Sequence, residues 1–269
     1  MKILFCGDIV GKSGRDAVFK YVPILRKKLA LDFVIVNGEN AAHGFGITQG
    51  ICKELYDVGV DIITTGNHIW DQRDTPAHIS VDPKLLRPIN FPKNTPGQGF
   101  AIVENARGKK LMVVNVMGTL FMDALDNPFH AVEDLLSTYK LGQNIDALVV
   151  DIHAEATSEK MAMGHFLDGQ ATLVVGTHTH VPTSDQMIFP KGTAYTTDAG
   201  MTGDYHSVVG MNPAAPLERF YKKIRSEKLS PATGEGTLCG VFVESDDKTG
   251  HATSIKPIRL GGKLQQTEL

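Results

Sequence analysis

Time after time in this chain a short, largely apolar, β-branched run breaks off at a side chain able to hold a cation. Ile3 to Cys6 is followed by Gly7-Asp8, Phe33 to Val36 by Asn37-Gly38-Glu39-Asn40, and Val60 to Thr64 by Thr65-Gly66-Asn67-His68. Ala147 to Ile152 ends at His153, and Leu173 to Val175 runs into Gly176-Thr177-His178-Thr179-His180. Apolar runs of about four to eight residues read as strands buried on both faces. Between them the spacing turns helical. Ala17, Val18, Tyr21, Val22, Leu25 and Leu29 share one face of a helix over 15–29, in which Pro23 should cause a kink or an early stop. Thr48 caps a helix running to about Val58, and further helices are expected over 132–139, over 155–166 with Ser158 as a cap, and from about Pro216 to Ser226. Gly11 to Gly14 reads as a loop. Strands alternating with helices imply a layered α/β fold.

The 269 residues show no repeat, low-complexity tract or charge block, so one domain over 1–269 is expected. Residues 75–99 are proline-rich and irregular, an excursion within the single domain rather than a linker between domains, and are expected to offer a contact surface for a homo-oligomer. Phe100 to Val103 and Leu111 to Val116 flank Asn105-Ala106-Arg107-Gly108 as a hairpin. A short strand near Tyr195 and two closing strands, Gly240 to Glu244 and Ser254 to Ile258, complete the count. A net charge of −3 argues against long nucleic acid or anionic membrane as partner. No apolar run reaches membrane-spanning length, and the N-terminal one stops at Asp8, far short of a secretory signal. With Cys6, Cys52 and Cys239 sparse and without zinc-ribbon spacing, buried thiols in a reducing cytoplasm are expected. Met161 and Met163 read as core filler.

In open α/β sheets ligands bind beyond the carboxyl ends of the strands. If these strands are neighbours, Asp8, Glu39, Asn40, Asn67, His153, His178 and His180 meet on one patch beside His68. Carboxylates, amides and imidazoles together suit iron, manganese or zinc. The set is too rich in nitrogen for calcium and has no thiolate for copper(I). Seven ligands exceed one tetrahedral ion and fit a pair, with a carboxylate such as Glu39 bridging ions about 4 Å apart. Two carboxylates against two divalent ions leave the patch positive, so it can take a hydroxide and a phosphate group. Gly7 to Ser13 mimics a phosphate-binding loop, but only three residues separate Gly7 from Gly11-Lys12-Ser13 where four are needed.

The ordered blocks Asp8, Gly38-Glu39-Asn40, Gly66-Asn67-His68, His153 and His178-Thr179-His180 resemble the calcineurin-like metallophosphoesterases over the whole chain, and within them the bacterial YmdB-like branch. Three positions depart from the broad superfamily. The opening Asp-x-His is Asp8-Ile9-Val10, the bridging Asp is Glu39, and the acidic residue after Gly-Asn-His is Ile69. The branch shares these features and uses Asn40 where the His is lost. The resemblance implies a four-layer α/β/β/α sandwich. It implies one ion on Asp8, Glu39, Asn40 and His180, another on Glu39, Asn67, His153 and His178, and His68 outside the metal shell as proton donor. Iron is the first expectation for the two ions and manganese the second, as divalent or mixed-valence pairs. The implied reaction is hydrolysis of cyclic nucleotides, 2′,3′-cyclic and also 3′,5′-cyclic, by a metal-bridging hydroxide with His68 as general acid. A broad phosphomonoesterase or nucleotidase, and a metal-bound regulatory module that senses nucleotides with little turnover, remain as alternatives. Asp71 and Asp198 are candidates to orient histidines or to cap loops. His43, His130 and His206 read as solvated loop residues ahead of pocket lining, and His78, His165 and His251 as structural.

Overall fold

Residues 1–224 and 228–268 are described by a computed structural model. In chain order the elements are β1 (Lys2–Cys6), α1 (Gly11–Lys28), β2 (Phe33–Asn37), α2 (Gln49–Asp57), β3 (Ile62–Thr64), α3 (Thr75–Ile79), β4 (Phe100–Glu104) and β5 (Lys110–Met117). There follow α4 (Pro128–Thr138), β6 (Ala147–His153), α5 (Thr157–Phe166), β7 (Leu173–Thr177), β8 (Met187–Ile188), β9 (Ala194–Thr196), α6 (Ala214–Lys222), β10 (Leu238–Ser245) and β11 (Ala252–Leu260).

Alternation along the buried strands decides the layering. In β1, Ile3 and Phe5 point one way and Leu4 and Cys6 the other; in β2, Phe33 and Ile35 oppose Val34 and Val36. The first of each pair meets Leu111 and Val113 of β5, Ala147 and Val149 of β6, and Leu173 and Val175 of β7 in one core between two sheets. The second meets Ala17, Val18, Val22 and Leu25 of α1 and Cys52 and Leu55 of α2. On the far side Leu148, Val150 and Val174 pack on Val132 and Leu136 of α4 and Met163 of α5. The result is helix, sheet, sheet, helix: the expected four-layer α/β/β/α sandwich. Each fully buried Val, Leu or Ile contributes roughly 1.5–3 kcal/mol relative to exposure.

The first sheet has the order β11-β10-β1-β2-β3 and the second β4-β5-β6-β7-β9-β8. β1, β2 and β3 are mutually parallel, as are β5, β6, β7 and β9, so within each sheet these carboxyl ends share an edge. β4 and β5 form the expected antiparallel hairpin. The 75–99 excursion does not leave the domain: Leu85 bridges Ile63, and Leu86 N donates to Ile63 O at 2.8 Å, extending the β3 edge.

Several local expectations need correction. α1 starts at Gly11, not after Gly14. A Cβ at Gly14 would lie 2.2 Å from Thr202 O, so that glycine serves close packing inside a helix rather than a loop. Pro23 leaves α1 intact over 18 residues; it sits on the exposed face, where water reaches the carbonyl it leaves without a donor. α4 begins at Pro128, four residues early, because the Asn127 side chain accepts from Phe129 N at 2.9 Å and proline suits the first turn. Ala156, not Ser158, precedes α5. Met163 is buried, whereas Met161 is exposed. The expected end of the last helix at Ser226 lies outside the described residues. Thr48 caps α2 as expected, accepting from Ile51 N at 3.4 Å. All three cysteines are free and buried. Among the described residues no helix is long and apolar enough to cross a membrane.

Candidate metal centre

The strand ends do converge. Asp8, Glu39 and Asn40 follow β1 and β2, Asn67 and His68 follow β3, His153 closes β6, and His178 and His180 follow β7. Gly66 makes room for them: a Cβ there would lie 2.2 Å from His153 Nε2 and 2.3 Å from Glu39 Oε2. His178 and His180 both hold left-handed backbone, φ 92° and 65°, a strain of order 1–3 kcal/mol each of the sort that collects at functional sites. Two triads of possible ligand atoms result, Asp8–Glu39–His180 and Glu39–His153–His178, and Glu39 belongs to both.

Hydrogen bonds behind His153 and His180, and a carboxylate beside His178, indicate which nitrogen faces inward. Thr177 Oγ1 donates to Asp151 Oδ1 at 2.7 Å, so toward His153 Nδ1, 2.9 Å away, it can only accept. His153 therefore keeps a proton on Nδ1, so Nε2 is the nitrogen that faces the centre and becomes the ligating atom once its own proton is lost. Asp151 is itself fixed by Thr64 Oγ1 at 2.6 Å and Asn37 Nδ2 at 3.0 Å. His180 Nδ1 donates to Val209 O at 2.8 Å, which leaves its Nε2 bare. Glu155 Oε2 stands 3.2 Å from His178 Nε2 and favours the proton there, which leaves Nδ1 bare.

Acceptors are thereby crowded together. His153 Nε2 lies 3.2 Å from Glu39 Oε2, 3.1 Å from Asn67 Oδ1 and 3.1 Å from His178 Nδ1. Lone pairs at that spacing need positive charge among them. Asp8 Oδ1 is buried with no hydrogen-bond partner, 3.8 Å from His153 Nδ1 and 3.9 Å from His180 Nε2. In this setting burial lifts the Asp8 carboxyl above its usual range despite the neighbouring imidazoles. Burial would lift Glu39 as well, but His153, His68 and His178 together pull it below the usual range. Burial disfavours charge on His153, yet Glu39, Asp8 and Asp151 outweigh that and carry it up to about 9. Burial and the adjacent His153 push His178 down to about 3, so it is neutral. A nest of lone pairs, one orphaned carboxylate oxygen and a histidine recruited as a cation fit divalent metal. Asn40 fits only in part: its Nδ2 donates to Glu39 Oε1 at 3.0 Å and lies 3.2 Å from His180 Nε2, so ligation through Oδ1 requires the amide to turn over.

His68 stands apart from both triads. Its backbone N donates to Glu39 Oε2 at 3.2 Å, while the ring turns outward, Nδ1 at 2.7 Å from Asp71 Oδ2 and edge-on to Phe45 at 5.0 Å between centroids. Asp71 thus orients a histidine, as one of its two expected roles. Asp198 does not; it binds Lys160 Nζ at 2.8 Å and Thr179 N at 3.2 Å, fixing the loop between His178 and His180. His43 is an exposed turn residue, as expected, and also lines a cavity of about 870 Å³ with Asp71 and Phe45, the two residues that touch His68. His130 lines another, of about 640 Å³. Asp151, Thr177, Glu155 and Val209 were not foreseen. One signal did exist for Asp151: it is a charge in an apolar strand, two residues before His153 and hence on the same face.

The sequence matches the YmdB-like protein family over residues 4–258. The chain belongs to the YmdB-like family. A 2′,3′-cyclic-nucleotide 2′-phosphodiesterase of Bacillus subtilis (strain 168) is 46% identical over 258 residues, covering 96% of each chain. A crystal structure of a hypothetical protein from Thermus thermophilus superposes with a TM-score of 0.89 at 42% identity, covering 97% of this chain and 99% of the other. A Mycoplasma pneumoniae protein described as a novel phosphatase gives 0.89 at 36% identity, covering 97% and 93%. These likenesses place this YmdB-like chain among hydrolases with the metallophosphoesterase architecture.

Proposed function

We propose that the protein is a phosphodiesterase that opens cyclic nucleoside phosphates, 2′,3′-cyclic ones first and 3′,5′-cyclic ones second, at a centre for two metal ions. The observation that carries the reading is the membership of Glu39 in both triads, which asks for two cations sharing one carboxylate. Asp8, Glu39, Asn40 and His180 would hold one, and Glu39, Asn67, His153 and His178 the other, with iron or manganese as occupant. Bound there, the ions would set positive charge against the phosphoryl oxygens and make a nearby water more acidic. The chain's own residues do the rest. Asp151 and Thr177, Val209 and Glu155 hold three imidazoles in their ligating tautomers. His68 gives a proton from Nε2 to the departing ribose oxygen, while Asp71 holds Nδ1 and fixes the direction in which the ring points. The adjoining cavity of about 870 Å³ is of the size that small-molecule sites occupy and leaves room for a nucleoside. The activity of the Bacillus subtilis relative supports the choice of cyclic substrate.

The test is metal analysis of anaerobically purified protein joined to a screen of mono-, di- and cyclic phosphoesters. Two ions per chain and preference for the cyclic nucleotides are expected. His68→Ala should keep both ions and lose roughly 10²- to 10⁴-fold in kcat. A single ion, or full activity in that variant, overturns the reading. Preference for monoesters would install the phosphomonoesterase instead, a second reading that draws on the Mycoplasma pneumoniae phosphatase.

A further inference from the structure

We propose that Cys52, His78 and Asp82 form a separate, thiolate-containing site for a zinc-like divalent cation, which staples the segment carrying Asn67 and His68. Cys52 comes from α2, His78 from α3 and Asp82 from the turn after it, and their ligand atoms lie within 4.8 Å of one another. Among the described residues only three such triads occur, and the other two are those that share Glu39. Cys52 is fully buried, and the side chains of His78 and Asp82 are 11% and 9% exposed.

The second observation is His78 itself. Both of its ring nitrogens are buried and neither has a hydrogen-bond partner. An imidazole must offer at least one N–H, and leaving a buried donor orphaned is costly, so such a group calls for an ion or a water. Asp8 Oδ1 shows the same orphaned condition, and it stands in the centre already described. His78 Nε2 is 3.1 Å from Asp82 Oδ2, yet off the line of a hydrogen bond. Two atoms on one tetrahedral zinc at about 2.0–2.1 Å are about 3.3 Å apart, so that offset approach suits co-ligands better than an ion pair. Asp82 is braced from behind: Tyr56 Oη donates to Oδ2 at 3.0 Å and Lys84 N to Oδ1 at 2.9 Å. Thiolate plus carboxylate cancel a divalent charge, with a neutral imidazole as third ligand and water at the slightly exposed edge as fourth. On binding, the thiol proton leaves to solvent and the sulfur–metal bond replaces the S–H bond.

Ligand chemistry separates this site from the phosphoesterase centre, which contains no sulfur: a thiolate selects zinc, cobalt or cadmium over magnesium or manganese. The position in the chain gives the site its role. Cys52 precedes β3 and His78 follows the loop that bears Asn67, His68 and Asp71, so the cation closes that loop from behind.

The experiment titrates the full-length protein with cobalt(II) and reads the thiolate-to-cobalt charge-transfer absorption, which ions bound only by oxygen and nitrogen do not produce. One equivalent of this band is expected in the wild type and in a Cys6→Ser/Cys239→Ser variant. It should vanish in Cys52→Ser, and His78→Gln should weaken cobalt binding at least tenfold while circular dichroism stays native. Zinc should also protect Cys52, in the unmutated protein, from a thiol reagent under mild denaturant, so an ill-folded Cys52→Ser does not leave the matter open. Absence of the band at stoichiometric cobalt, its survival in Cys52→Ser, or equal reactivity of Cys52 with and without zinc overturns the proposal.

Discussion

Replacing Thr177 by valine removes one oxygen and keeps the volume. That oxygen donates to Asp151 Oδ1 at 2.7 Å and accepts from His153 Nδ1 at 2.9 Å. Asp151 would keep Thr64 and Asn37, but His153 Nδ1–H would lose its hydrogen-bond partner and be left with the Asp8 carboxylate at 3.8 Å, beyond hydrogen-bond reach. One orphaned buried donor costs about 1–3 kcal/mol. At roughly 2–4 °C per kcal/mol for a domain of this size, the metal-free protein should melt some 2–12 °C lower. Alternatively the ring sheds the Nδ1 proton and keeps the one on Nε2, which points at Glu39, Asn67 and His178 and which an incoming cation must expel. Loss of an orienting partner of this kind lowers metal affinity about 10- to 100-fold, or about 1.4–2.8 kcal/mol. The two ranges overlap because they describe the same lost contact. Competition with a chromophoric chelator for manganese, with melting curves taken with and without metal, measures both in Thr177→Val and in Thr177→Ser, which keeps the hydroxyl. Valine binding metal within twofold of wild type, or serine losing as much as valine, would refute the tautomer argument.

Gly66→Ala places a methyl group 2.2 Å from His153 Nε2 and 2.3 Å from Glu39 Oε2. The variant should fold, by circular dichroism, yet retain less than one manganese per chain by elemental analysis and lose more than about 10²-fold in activity. Because His153 sits at about 9, metal uptake at neutral pH must displace its proton. Affinity should therefore rise about tenfold per pH unit up to that value, close to 1.4 kcal/mol per unit. Calorimetry at pH 6, 7 and 8 would show it, and a flat profile would contradict it. The same group lends the metal-free fold stability that is complete below the unfolded value of 6.5 and fades as pH climbs through about 9. Metal-free melting temperature should accordingly drop between pH 7 and 9.5.

Much of this was legible from the amino acids alone because buried strands announce themselves. Apolar runs that stop at a polar residue mark both the strand and the place where it delivers a side chain, so Asp8, Glu39, Asn67, His153, His178 and His180 can be named as candidates together with a layered α/β fold, whereas the four-layer sandwich is implied only by the family resemblance. What stayed hidden depends on neighbours distant in the chain. Thr177 reaches His153 because β6 and β7 pair in parallel with these two residues in register, and nothing within either run states that register. Val209 acts through a carbonyl, which any residue carries. Gly14 looked like a turn because a glycine needed for close approach is written with the same letter as one needed for a bend. His78 reads as structural in the sequence, and its nearness to Cys52 and Asp82 exists only once α2 and α3 are packed.

The candidate centre draws Asp8, Glu39, Asn40 and Asn67 from the ends of one sheet and its histidines from the other. Cations bound there would act as rivets along the spine of a closed book. Without them the protonated His153 alone would hold that edge together, and only as far as about pH 9. A cell short of metal would then hold a less stable population as well as an idle one, because an ion that binds the folded state alone adds to its stability by mass action.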